Sequence, residues 1–231
     1  MQSSRDAVGG GATTLAFLTR EQAVYDHLRQ AITNGQWGPH EPLVAMRIAT
    51  DLGVSRITIA NALKRLAAEG FVRLVPHKEA VVAPITAPDV TDIYHARAAL
   101  EAEAACVAAQ HADFSWLTEL RALNTQLADV QPSRDPTLVR AADKAFHAHL
   151  RAAAGLPGLA AMVANLVDRC EYYRARMLDV REIVLPDARH HEPLLDALAE
   201  RDAEQVRAIV HEHVVGGMRA ILAALEHGGH R

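Results

Sequence analysis

The stretch from Leu43 to Gly70, LVAMRIATDLGVSRITIANALKRLAAEG, constrains this chain more than any other. It reads as two short helices joined by a tight turn. Leu43, Ile48 and Leu52 mark the apolar side of the first helix, Gly53 supplies the turn, and Val54 closes it. Ser55 can cap the second helix, which runs from Arg56 to about Glu69. Its inward face is Ile59, Ala62, Leu63 and Leu66, spaced at a 3.6-residue period. Ser55, Arg56, Thr58, Asn61 and Lys64 fall near or on the outer face. A polar helix start carrying Arg and Thr, braced by a second helix, suits a probe of the DNA major groove. An ordinary helical hairpin in a core has the same spacing, so both readings stand at this point.

The flanks narrow the choice. Thr19 and Gln22 have the spacing of a capping box and predict a helix over 21–34, with Val24, Leu28 and Ile32 on one face and Gly35 ending it. After Gly70 come two β-rich runs, FVRLV and AVVAPI, separated by Pro76-His77-Lys78-Glu79, a pattern for a small hairpin. Helix, helix, helix and hairpin make a winged helix-turn-helix.

These residues resemble the N-terminal domain of GntR-family bacterial transcription regulators over 20–84. The resemblance rests on Val24 through Ile32, Gly35, Leu43, Leu52-Gly53-Val54-Ser55-Arg56, Ala62-Leu63, Arg65-Leu66 and Glu69-Gly70. Arg29 and Lys78 are the expected phosphate contacts; Ser55, Arg56, Thr58 and Lys64 complete the expected DNA-facing set, with Arg56 and Thr58 in reach of bases. The chain departs from the family pattern at Ala60-Asn61, where Arg-Glu is usual, and at Glu79 and His40, where Gly is usual. A lost Arg and an added Glu both weaken attraction to phosphates.

The chain has 231 residues, enough for one large or two modest domains. Aromatics make up only 4% and alanine is abundant, which favours packed helices. No apolar run reaches the ~18 residues that span a membrane, so no membrane partner is expected. The start of the chain lacks the charge and cleavage pattern of a secretion signal, and a cytoplasmic protein is expected. Gly9-Gly10-Gly11 marks 1–18 as a flexible leader. Cys106 and Cys170 lie in helical patterns and read as buried thiols. The net charge of −4 is split. Residues 1–84 hold nine Lys/Arg and seven Asp/Glu, while 85–231 hold fifteen and twenty-one, so a mildly basic head precedes an acidic body.

The predicted boundaries are therefore 19–85 for the winged helix and 86–231 for a second domain. That second domain reads as six helices and no strand, over roughly 88–111, 113–130, 136–154, 157–182, 186–201 and 203–226. The fold class is mainly α, a winged helix-turn-helix followed by an all-α six-helix bundle.

Helical periodicity assigns faces within this bundle. Asp143 and His147, four apart, share a face with Val139, Phe146, Leu150 and Ala154. His191 shares one with Leu194, Leu195 and Leu198. His213 sits among Val206, Ile209, Val210 and Gly217. Three helices would each aim one imidazole inward, and one adds a carboxylate. Burying such groups unpaired costs several kcal/mol, about 2–7 even for neutral polar groups. A divalent ion would satisfy all four, and the N/O donor set suits Zn²⁺, Ni²⁺ or Mn²⁺. An Asp–His hydrogen bond, with the other histidines satisfied separately, is the alternative.

Residues 88–226 also resemble the FCD ligand domain of the FadR subfamily, in the shorter six-helix, VanR-like type. The matching residues are Asp92-Ile93-Tyr94, Arg97, Leu100-Glu101, Asp143 with Phe146-His147, His191 with Leu194 through Leu198, Asp202-Ala203-Glu204, Arg207 and His213. The resemblance implies a metal held by Asp143, His147, His191 and His213, with Zn foremost, and an effector of the small-carboxylate class. Arg97 falls on an apolar face and needs an anion, either Glu101 one turn along or the carboxylate of an organic acid. Tyr94 and Tyr173 would line the same pocket, although Tyr173 belongs to the stripe Leu159, Met162, Leu166, Cys170, Tyr173 and Met177, which also reads as core. The expectation is a transcription regulator that binds a double-stranded DNA operator as a homodimer and responds to a small organic acid at the metal. Two other functions fit parts of the pattern. A metal-dependent enzyme acting on carboxylates fits the ligand set but lacks a general base, since Glu212 points away from His213. A metal-ion sensor fits it as well.

Overall fold

The computed structural model describes residues 11–76, 79–177 and 187–228, which fall into two compact units dividing between Ile85 and Thr86. In the first unit, α1 (Gly11–Thr33) packs on α3 (Arg56–Ala68), and α3 packs on α2 (Ala45–Leu52). Leu28, Ile32, Ile59 and Leu66 are buried at the centre. The expected turn is present: Gly53 adopts a left-handed conformation at φ 63° and ends α2, and Ser55 Oγ accepts the Thr58 backbone N–H at 3.1 Å. Glycine reaches that φ without the steric cost a Cβ adds.

Two features of the head differ from expectation. The helix α1 begins at Gly11 rather than near residue 21, so 11–18 belong to a helix and only 1–10 of the expected leader lie outside the described residues. Ala12, Leu15 and Ala16 are good helix formers, and a helix nucleated further on extends through them at little cost. Thr19 therefore falls within the helix rather than at its start. Gln22 instead donates to Asp26 at 2.8 Å and accepts from Arg65 at 3.1 Å.

The wing contains β2 (Val72–Arg73) and β3 (Ala80–Val82), paired antiparallel. A third strand, β1 (Pro42–Leu43), pairs with the other side of β3, giving the order β1-β3-β2. Two residues are too few to show a period, so this strand left no trace in the sequence. The two departures in this region acquire structural roles. His40 sits at φ 65°, a conformation that costs a residue with a Cβ about 1–2 kcal/mol. A Glu79 carboxylate oxygen lies 3.4 Å from the Ala45 backbone N–H, at the positive end of α2.

Six helices make up the second unit among the described residues: α4 (Ala87–His111), α5 (Phe114–Val130), α6 (Pro136–Ala152), α7 (Pro157–Met177), α8 (Glu192–Ala199) and α9 (Ala203–Gly228). Thr86, Asp113 and Asp135 cap the starts of α4, α5 and α6 with their side chains. The expected break at Pro186 lies outside the described residues; the next helix opens with a 3₁₀ turn, Ala188–His191. The bundle is built on α4 against α9, with α7 packed on α4 as well. Cys106 and Cys170 are buried free thiols.

Sequence periodicity misjudged α7 and α9 in detail. On α7 the buried face is Val163, Val167, Cys170 and Tyr173, while Met162 is 62% exposed. The α9 stretch Ala203–His227 is long enough, and contains a window apolar enough, to cross a bilayer by length and composition. Arg207, Glu212 and Arg219 interrupt it, which is why no apolar run stood out. Its stripe Val206, Val210, Val214 and Ile221 is buried, as expected of a helix that packs one face on the bundle.

Candidate metal centre and DNA-reading face

Asp143 and His147 sit one turn apart on α6, so their side chains leave the helix in the same direction. Phe146, Val139 and Leu150 are fully buried beside them and anchor that face of α6 in the bundle. His191 arrives from the 3₁₀ turn before α8 and stacks on Phe146, with ring centroids 4.0 Å apart. The ligand atoms of Asp143, His147 and His191 all lie within 4.8 Å of one another. Asp143 Oδ1 is 3.7 Å from His147 Nε2 and 3.5 Å from His191 Nε2.

These separations are too long for good hydrogen bonds. Asp143 Oδ1 and His147 Nε2 are both buried with no hydrogen-bond partner. Donors held about 2.0–2.2 Å from one ion in a tetrahedron stand roughly 3.3–3.6 Å apart, close to the observed spacing. The donor set, one carboxylate oxygen and imidazole nitrogens with no thiolate, is that of a Zn²⁺, Ni²⁺ or Mn²⁺ site. The residues present therefore fit a divalent ion.

His213 is placed differently from expectation. Its ring centroid lies 5.1 Å from that of His147 and 6.1 Å from that of His191, beside the three-residue cluster rather than within it. The residue is exposed, because the buried stripe of α9 runs through Val210 and Val214 on either side of it. A cavity of about 10 Å³, room for one water-sized sphere, opens against His147, His191 and His213.

The electrostatics suit neutral imidazoles. Burial, then the neighbouring His213 and His191, push His147 well below its ordinary pKa. Burial, then His213, bring His191 to about 4. Although part of His213 reaches solvent, protein crowds its ring enough that burial, then the charges of Arg97 and Arg174, bring it to about 4 as well. Burial raises Asp143 to about 6, opposed chiefly by Arg174 and Arg97. Neutral imidazole is the form that ligates a metal.

Those two arginines define the rest of the site. Arg97 on α4 is buried, and its Nε donates to Glu101 at 2.9 Å, the internal partner one turn along. Arg151 also approaches Glu101, at 3.6 Å. Arg97 Nη1 and Tyr94 Oη nevertheless remain buried without a well-formed hydrogen bond; the Cys170 thiol lies near both, and the Arg174 guanidinium near Tyr94. Periodicity alone did not single out Arg174 on α7. Its Nη2 fills the space beside Gly217, where a Cβ would come within 3.1 Å of it and 3.4 Å of the Tyr94 ring. The signal available was Gly217 itself, a glycine inside a helix. Tyr173 turns elsewhere: its hydroxyl accepts from Arg169 at 3.0 Å, and the nearby charges are Arg169 and Asp89.

In the head, Arg56 and Lys64 are exposed as expected, and Ser55 is exposed while capping α3. Thr58 is not available as expected. It is 5% exposed, and its hydroxyl lies 2.9 Å from Ser55 Oγ, because the third position of a capped helix turns back toward the cap. The side chain that emerges instead is Ile57, 71% exposed beside Arg56. Arg29 is mostly buried, stacked 5.3 Å from the Phe71 ring centroid and 4.0 Å from Glu69, so it is largely engaged within the head. Lys78 lies outside the described residues.

Comparison with known proteins agrees with this division. Residues 20–82 match the family described as bacterial regulatory proteins, gntR family, and residues 92–216 match the FCD domain. An HTH-type transcriptional regulator of an unstable DNA locus in Streptomyces ambofaciens is 26% identical over 210 residues, covering 90% of this chain and 86% of that protein. The HTH-type transcriptional repressor GlaR of Escherichia coli is 24% identical over 209 residues, covering 87% of this chain and 95% of that one. An Agrobacterium vitis HTH-type regulator is 34% identical over 86 residues; that match covers 37% of this chain and half of the relative. Among solved structures, E. coli McbR/YncC shares the fold with a TM-score of 0.71 at 21% identity, over 88% of this chain and 97% of that one. The family is one of transcription regulators, not of enzymes. The chain belongs to the GntR family of bacterial DNA-binding transcription regulators and carries an FCD domain behind its winged helix.

Proposed function

We propose that this regulator binds its operator as a homodimer and that a small organic acid, held at a divalent ion in the FCD domain, modulates that binding. The observation that carries the reading is a set of unsatisfied buried groups of opposite character. Asp143 Oδ1 and His147 Nε2 have no hydrogen-bond partner; Arg97 Nη1 and Tyr94 Oη make no well-formed hydrogen bond either, with only the Cys170 thiol, and for Tyr94 the Arg174 guanidinium, as polar neighbours. Buried polar atoms left this way cost about 1–3 kcal/mol each, so a native core keeps them for a ligand. A cation answers the first pair. A carboxylate answers the second, with Arg174 close to Tyr94 and electrostatically felt at Asp143.

Asp143, His147 and His191 would hold the ion, with His213 brought in from the edge. The ion would supply a Lewis-acidic position for a ligand oxygen. Arg97 would grip the acid's carboxylate and Tyr94 would donate to it. Tyr173, already engaged with Arg169, would shape the pocket wall. In the head, Arg56 and Lys64 would serve the duplex together with Ser55 and Lys78, and Arg29 would add charge where its guanidinium reaches phosphate. Ile57 would meet a thymine methyl in the major groove. Such a protein works where the chromosome is, in the cytoplasm.

An ion as the signal in its own right is the second reading, favoured by the absence of thiolates only for hard and borderline metals. A thermal-shift screen of small organic acids, run with and without chelation, separates the two. A ligand raises Tm by mass action. Acids that raise Tm only in the metal-loaded protein support the proposal. A DNA affinity that answers to metal removal and to no acid favours the sensor.

A further inference from the structure

Asn124 on α5 carries a second buried polar network that no site residue named so far explains. It is 5% exposed on an otherwise apolar face with Leu120 and Leu127. Its amide nitrogen donates to the Ala188 carbonyl at 3.2 Å and to Glu192 Oε1 at 2.9 Å. Both partners only accept, so the orientation of the amide is fixed and its oxygen must point the other way. That oxygen lies 3.0 Å from His191 Nδ1. A carbonyl oxygen cannot donate, so Nδ1 must carry the hydrogen. In a neutral imidazole the lone pair is then on Nε2, which faces Asp143 Oδ1 at 3.5 Å.

Were Nε2 the protonated nitrogen, His191 could donate to Asp143 and satisfy that carboxylate within the protein. Asn124 rules this out by occupying the other end of the ring, and stacking on Phe146 holds the ring plane. We propose that Asn124 is a positioning residue that locks His191 in the Nδ1–H tautomer, so that Nε2 stays free to ligate a divalent cation shared with Asp143 and His147. The cation in this statement rests on the function proposed above; the tautomer rests on the hydrogen bonds alone. Carbonyl or carboxylate partners on the far nitrogen of a ligating imidazole typically change metal affinity 10–100-fold when removed.

The test uses the full chain with ¹⁵N-labelled histidine. In chelated wild-type protein, two-bond ¹H–¹⁵N spectra should show His191 as the Nδ1–H tautomer; an Nε2–H pattern overturns the proposal without any variant. Asn124→Leu, which keeps the volume and removes the acceptor, should shift His191 toward Nε2–H. It should also weaken Zn²⁺ and Co²⁺ binding, measured by chelator competition, by about 10–100-fold. Asn124→Asp combined with Glu192→Gln, which keeps an acceptor for Nδ1–H and gives the second carboxylate oxygen an amide donor, should keep the tautomer and most of the affinity. A folded Asn124→Leu protein that binds Zn²⁺ as tightly as wild type sinks the positioning role while leaving the metal reading intact. Wild-type protein that binds neither ion sinks the metal reading, and the positioning role goes with it.

Discussion

Asp143 Oδ1 faces His147 Nε2 across 3.7 Å inside the bundle, and neither atom has a hydrogen-bond partner. An ionised carboxylate and an imidazole lone pair repel at that distance unless a proton or a cation lies between them. A shared proton, carried either by His147 as its Nε2–H tautomer or by a protonated Asp143, is the ordinary remedy, but at 3.7 Å no such hydrogen bond is made.

Asp143→Asn should therefore have opposite effects on two properties. Removing the buried charge and supplying an amide donor should raise the stability of the chelated protein by about 1–3 kcal/mol. The same change should abolish stoichiometric Zn²⁺ uptake. Chemical denaturation and metal analysis of one preparation check both. A variant less stable than wild type in chelator would show that the carboxylate is satisfied in some other way.

The pH response of the chelated protein follows from the same groups. His191 and His213 are lowered to about 4 from 6.5, and His147 is lowered too. A depressed histidine leaves the unfolded chain binding more protons, so stability falls as pH drops from about 6.5 toward 4. Asp143, raised to about 6, acts in the opposite sense between 3.8 and 6. Three histidines outweigh one carboxylate, so Tm in chelator should be lower at pH 5 than at pH 7. Added Zn²⁺ should widen that gap, since the ion competes with protons for the same nitrogens. A Tm that is flat or rising from pH 7 to 5 contradicts the assignment of neutral buried imidazoles.

Gly217→Ala probes the Arg174 side. Its Cβ would press on Arg174 Nη2 at 3.1 Å, the far end of a flexible side chain. Relocating that end is cheap, and an alanine within a helix gains up to about 1 kcal/mol over glycine. The variant should be as stable as wild type or slightly more so. Its thermal shift with organic acids should shrink or vanish while Zn²⁺ binding holds. An unchanged acid response would remove Arg174 from the effector pocket.

On the head, Arg56→Ala and Ile57→Ala should fail in different ways on a duplex enriched from a random pool. Losing Arg56 should lower the slope of log affinity against log salt by about 1. Losing Ile57 should leave the slope alone and weaken binding roughly fourfold, from about 0.8 kcal/mol per buried methyl. Replacing the contacted thymine by deoxyuridine should cost wild type the same factor and the Ile57 variant nothing. Equal sensitivity of both proteins to that replacement would place Ile57 away from the methyl.

Much of this architecture was legible in the chain. Ile59, Ala62, Leu63 and Leu66 repeat at the helical period and are buried, and Gly53 turns where it must. Asp143 and His147 could be paired from their spacing alone, because one helix carries both. The helical period also put His191 on an inward face with Leu194, Leu195 and Leu198, and it is buried, although it sits in the 3₁₀ turn ahead of that helix; that it meets Asp143 is something no period predicts. The misses have a common cause. Thr58 lies at a helix start, where capping rather than periodicity decides direction. Arg174 and Asn124 matter through partners on other helices, Gly217 and His191, and sequence distance hides such pairs.

His147 and His191 are separated by 44 positions, yet both face Asp143. An ion there would close that loop much as a covalent cross-link does, trimming the freedom of the opened chain. The C-terminal half would then resist proteases and backbone exchange in proportion to the cell's supply of the metal. Starvation for it would be felt first as a shorter lifetime of the regulator, before any change in what the regulator reads.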